Sequence, residues 1–139
     1  MATTATVKWV KGRIFEGTSG SGHTITMSGP PAEGEGDAGV RPMELLLLGM
    51  GGCTSYDVMD ILEKGRQPVE GCVVEVEGER AETVPKVYTR IHLTYVVSGR
   101  GLDPAKVERA VNLSLEKYCS VTLMLAKAAE ITHEIKLVD

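Results

Sequence analysis

At 139 residues, with 42% hydrophobic and 24% charged residues, the chain matches one globular domain, residues 1–139, able to bury a core without disulfide or metal staples. A net charge of −4 argues against a broad basic surface and so against a nucleic-acid partner. Three cysteines, with no basic-then-apolar leader pattern in Met1 to Lys11, predict reduced thiols in a cytoplasmic protein, and the uncharged stretch Leu45 to Tyr56 is too short to span a membrane.

Thr6 to Met27 reads as short strands. Val7 and Trp9 alternate with Lys8, Gly12 allows a turn, and Arg13 to Glu16 makes a second strand. The cluster Thr18-Ser19-Gly20-Ser21-Gly22 turns the chain into a third strand, His23 to Met27. Gly29 to Gly39, with its two Pro, four Gly and three acidic residues, is expected to be a solvated loop.

A helix is expected from about Pro42 to Glu63. Pro42 suits the first helical position, Glu44 suits the first turn, and Gly65 is a stop signal. Leu45 to Cys53 is apolar all the way round, which predicts a helix enclosed on every side. Gly49, Gly51 and Gly52 each cost roughly 1 kcal/mol relative to Ala, and close approach of another backbone is the usual reason to keep them.

Two longer strands follow. In Val69 to Arg80, Cys72, Val74 and Val76 share a face opposite Glu75, Glu77 and Glu79. In Val87 to Val97, the face of Val87, Ile91, Leu93, Tyr95 and Val97 is apolar. Asp103 is a candidate N-cap with Pro104 behind it, and Ala105 to Tyr118 is helical by period. Cys119 and Ser120 interrupt that helix, Val121 to Glu130 forms another, and Ile131 to Val138 makes a last strand. The order predicts an α+β domain with a long central helix wrapped by antiparallel sheet.

Of the three thiols, Cys72 reads as a small buried hydrophobe on a strand's apolar face. Cys53 stands at the border between the apolar and polar halves of its helix, and the residues alone leave both a structural and a reactive thiol open. Cys119 precedes a helix, where backbone N–H groups favour a thiolate. The absence of C-x-x-C spacing gives no thioredoxin motif and no zinc set, so neither metal nor cofactor is expected. By strand phase His23 and His133 are expected in the core, and His92 in solvent.

Arg41-Pro42-Met43-Glu44-Leu45-Leu46-Leu47 through Gly51-Gly52-Cys53-Thr54, followed by Asp57 to Gly65, resembles the central helix of the OsmC/Ohr superfamily, the osmotically induced and organic hydroperoxide resistance proteins. Glu116-Lys117-Tyr118-Cys119-Ser120-Val121 is similar to that superfamily's second cysteine motif. Val7-Lys8-Trp9-Val10, Ser21-Gly22-His23 and Ile131-Thr132-His133 look most like its YhfA-like subgroup. The resemblance implies an OsmC-like fold and an intertwined homodimer. It implies that Cys53 reduces a small peroxide to become a sulfenic acid, that Cys119 condenses with it to a disulfide, and that an external thiol restores both. It also implies an activating Glu and Arg. Here Met43 follows Pro42, the acid comes one place later at Glu44, and Arg13 is the sole Arg before residue 41. On an ideal helix Glu44 lies about 13 Å from Cys53, too far to assist it within one chain. The rival reading is a non-catalytic ligand-binding or redox-sensing protein on the same scaffold.

Overall fold

The computed structural model describes residues 2–31 and 36–139, which form two compact units, Met1–Leu46 and Leu47–Asp139. The expected loop over Gly29 to Gly39 is thus described only at its ends; residues 32–35 lie outside the described residues.

In the first unit, β1 (Ala5–Lys11), β2 (Ile14–Ser19) and β3 (Thr24–Ser28) make an antiparallel meander. The register sets Trp9 beside Phe15 and Phe15 beside Met27, an apolar row across the three strands. The Trp9 indole N–H closes the first turn onto the carbonyl of Gly12 at 2.9 Å, yet Trp9 remains 63% exposed. His23, expected in the core, is exposed, its ring Nδ1 3.1 Å from Ser21 Oγ. Strand phase locates a face but does not say whether anything covers it.

Helix α1 (Pro42–Lys64) starts in this unit and continues through the second. At its start Glu44 Oε1 accepts from the Arg41 backbone N–H at 2.7 Å, the glutamate half of a capping box, and Pro42 takes the first helical position. The helix stops at Lys64, just before Gly65 as expected, and the left-handed residue beyond it is Arg66, φ 56°. Arg66 N–H donates to Glu63 O at 3.0 Å and Gln67 N–H to Leu62 O at 2.9 Å, the paired bonds of a Schellman motif.

The expectation of all-round enclosure of α1 does not hold within the chain. Only the stripe Met50, Thr54, Val58 and Leu62, one residue in four, is buried, while Leu48 is 59% exposed. Of the three glycines, Gly51 alone faces the chain's own core; a side-chain carbon there would stand 3.3 Å from Val76 Cγ2. Gly49 and Gly52 face open space. By length and composition α1 could cross a bilayer, but its Thr54 and Asp57 are hydrogen-bonded to other elements of the chain, the habit of a core helix.

The second unit holds a sheet of order β4-β5-β6: β4 (Gly71–Arg80), β5 (Tyr88–Ser98) and β6 (Glu130–Val138). β4 and β5 pair antiparallel, whereas β6 returns parallel to β5. A register shift near Arg80 brings Tyr88, not Val87, onto the buried face, where its ring lies over Gly78 with no room for a side chain beneath. The rest of the expected row, Ile91, Leu93, Tyr95 and Val97, is fully buried. His133 is exposed, its ring edge-on to Tyr95, because β6 is the sheet's edge strand. His92 is half-buried, bonded through Nδ1 to Thr132 Oγ1 at 2.7 Å.

Helix α2 (Pro104–Leu113) begins as expected, with Asp103 Oδ1 accepting from Ala105 N–H at 3.0 Å. It buries Val107, Ala110 and Val111 and then widens into a π-turn, Ser114–Tyr118. Cys119 takes an extended backbone, and α3 (Ser120–Leu125) follows.

Candidate functional site

Cys53 and Asp57 stand four residues apart on α1 and so share a face of the helix. Cys119, at the N-cap of α3, reaches the same place. The two sulfurs and a carboxylate oxygen of Asp57 all lie within 4.8 Å of one another. Cys53 and Asp57 are half-buried, and Cys119 is fully buried. All three cysteines are free thiols, and Cys72 is not part of this cluster.

The π-turn is what delivers Cys119. The Cys119 N–H bonds to Ser114 O, five residues back, at 2.7 Å. Ser114 thereby stays on the buried side of its helix while the chain breaks into the extended conformation at Cys119. The sulfur caps α3: it accepts from Thr122 N–H at 3.4 Å and from Thr122 Oγ1 at 3.0 Å. These bonds favour a thiolate, as its position before a helix suggested. They are outweighed, because burial pushes the Cys119 thiol above its ordinary value, and neighbouring Cys53 adds to the rise.

A chain of buried hydroxyls fixes Asp57. Tyr95 OH and Thr54 Oγ1 are 2.7 Å apart, Thr54 Oγ1 and Ser114 Oγ are 2.7 Å apart, and Ser114 donates to Asp57 Oδ2 at 2.9 Å. Each hydroxyl has a single proton, so Ser114's donation to the carboxylate sets the direction of the row: Tyr95 donates to Thr54, and Thr54 to Ser114. Asp57 is in this way tied to β5, the central strand. Asp57, Thr54, Ser114 and Tyr95 are not among the residues expected at the site. The available signal was an Asp one helical turn beyond a Cys in an apolar helix; the hydroxyls gave none.

The other two residues expected at the site have different partners. The Glu44 carboxylate accepts from the Arg41 backbone, and Arg13 Nη1 donates to Gly12 O at 3.1 Å. Among the described residues no ion pair joins Arg13 to Glu44; the arginine paired nearby is Arg41, held to Asp37 by a two-point contact at 2.8 and 3.1 Å. Arg13 also lines an open hollow of about 420 Å³ with Lys11, Ile14, Ser28 and Pro30.

Residues 34–134 match the family described as OsmC-like protein. Protein YhfA of Escherichia coli strain K12 is 51% identical over 134 residues, covering 96% of this chain and 97% of its own. The crystal structure of a hypothetical protein from Aquifex aeolicus VF5 is 33% identical, with a TM-score of 0.84 over 100% of this chain and 99% of that one. The organic hydroperoxide resistance protein OhrB of Bacillus subtilis, 21% identical, shares the fold at a TM-score of 0.67, with 98% of each chain covered.

Proposed function

Because the chain belongs to the OsmC-like protein family, we propose that it is a cytoplasmic thiol-dependent peroxidase that reduces organic hydroperoxides or hydrogen peroxide in oxidative or osmotic stress. The observation that carries this reading is the approach of two free thiols to within 4.8 Å, one half-exposed and one fully buried. The accessible sulfur, Cys53, is the nucleophile. Its thiolate attacks the peroxide's outer oxygen, the O–O bond breaks, and the alkoxide leaves with a proton as alcohol. The resulting Cys53 sulfenic acid loses water to the Cys119 thiol, forming a disulfide. Side-chain rotation must close the gap between the sulfurs to the roughly 2.05 Å of an S–S bond. Two equivalents of an external thiol restore both cysteines.

The working form is a homodimer in which both units belong to one OsmC-like domain. Leu46, Leu48 and Tyr56 are exposed along α1. Beside them an open groove of about 460 Å³ is lined by Gly52, Ser55, Tyr56, Met59, Asp60 and Glu63. A second copy of the helix covers this face in the proposed assembly.

Peroxide consumption with a dithiol reductant tests the reading. Cys53→Ser should abolish it. Cys119→Ser should permit one turnover and then accumulate overoxidised Cys53, visible by mass spectrometry. Cys72→Ala should keep most of the activity. A Cys53–Cys72 linkage in peroxide-treated protein would defeat the pairing. Three unreacted thiols at millimolar peroxide would favour the second reading, a ligand-binding or redox-sensing protein. One observation supports that alternative: Glu44 Oε1 accepts from the Arg41 backbone, and among the described residues no ion pair joins Glu44 to Arg13.

A further inference from the structure

We propose that Cys53, Asp57 and Cys119 form a binding site for a thiophilic divalent cation of the zinc class, filled in the reduced protein and destroyed by the disulfide. Three donors from two separate elements converge within 4.8 Å. Zinc holds thiolate at about 2.3 Å and carboxylate oxygen at about 2.0–2.2 Å, so donors around a tetrahedral ion stand roughly 3.5–3.8 Å apart. The cluster needs a contraction of at most about 1.3 Å to reach that geometry. Two sulfurs and one oxygen select a borderline-soft ion, whereas calcium and magnesium require sets of oxygen ligands.

The surroundings orient each donor. Cys53 and Asp57 are fixed by their spacing on one helical face. Asp57 is held through Oδ2 by Ser114, itself the end of the Tyr95–Thr54 row. Cys119 Sγ receives two hydrogen bonds from Thr122. Such outer contacts fix the direction of metal ligands and tune their strength. Three protein donors leave a fourth position for water or a small thiol.

On binding, the cation displaces one proton from each of two thiols and is held by the two thiolates and the carboxylate. A hydroperoxide then oxidises the thiolates to the disulfide, taking two electrons and two protons to become alcohol and water, and the cation leaves. The release half rests on the peroxidase reading above; the binding half does not.

The test is an anaerobic titration of the fully reduced, full-length protein with Co²⁺, followed by Zn²⁺, with no peroxide present. We expect one Co²⁺ per chain, an intense sulfur-to-cobalt absorption in the near ultraviolet, and its displacement by one equivalent of Zn²⁺. Protein carrying the disulfide should show no band. Asp57→Asn, checked for retention of its fold and three thiols, should bind at least about tenfold more weakly. Should that variant not fold, Ser114→Ala should give a loss of about 10–100-fold. Cys72→Ala should bind like the parent. No cobalt–thiolate band at millimolar Co²⁺, or undiminished affinity in the folded Asp57 or Ser114 variant, would overturn the proposal. Peroxide turnover is measured separately, so failure of the metal site and failure of the peroxidase reading are distinguishable.

Discussion

Tyr95 carries its hydroxyl into the protein interior, and burial pushes its pKa up to about 12 from an ordinary 10.0. Burial raises Cys119 and Cys72 above their ordinary 9.0 as well. All three are neutral when protonated, so the unfolded chain sheds these protons before the folded one does as pH rises. The stability they contribute is complete below their ordinary values. It is lost through the alkaline range, beginning near 9 for the thiols and running from 10 to about 12 for Tyr95. The urea midpoint of the reduced protein should therefore fall steadily from pH 9 upward. Tyr95→Phe should flatten the part of that fall above pH 10. A midpoint that does not move across this range would show that these groups are not held neutral by the fold.

The end of α1 offers a test at the level of the element. Arg66 sits at φ 56°, where a side chain costs about 1–2 kcal/mol. Arg66→Gly should add a net 0.5–1 kcal/mol, roughly, after the greater freedom of unfolded glycine is subtracted, and raise the Tm by about 2–4 °C. Arg66→Ala keeps the Cβ and should gain nothing; an equal gain from alanine would point away from backbone strain. Caps of this kind differ in how well sequence shows them. Asp103-Pro104 was legible because its bond is made two residues away. Gly65 marked the stop, since α1 ends at Lys64, but the left-handed position falls one residue later on Arg66, a residue type that does not advertise that conformation. The Tyr88 register shift and the π-turn are one-residue insertions in backbone pairing, and composition does not record them. The approach of Cys53 to Cys119, 66 positions away, came from resemblance to a family; periodicity along each element carries no distance between them. His23 and His133 were misplaced because alternation tells faces apart without telling which is covered.

At the scale of the whole molecule, the uncovered side of α1 is the decisive feature. Gly49 and Gly52 open onto solvent in the single chain, while Gly51 packs toward Val76 of its own sheet. Gly52→Leu should therefore disturb association and leave the chain's own core alone, raising the dimer dissociation constant at least about tenfold by sedimentation. Gly51→Leu tests the core instead. A stable wild-type monomer at micromolar concentration would remove the dimer from the proposal. In the proposed dimer, the exposed Leu46, Leu48 and Tyr56 would also tie abundance to survival. A chain whose central helix is finished by a copy of itself gains stability by mass action, so dilution works on it as a mild denaturant would. A cell that lowered its supply would then hold fewer molecules, each with more of its life spent half-built and open to proteolysis.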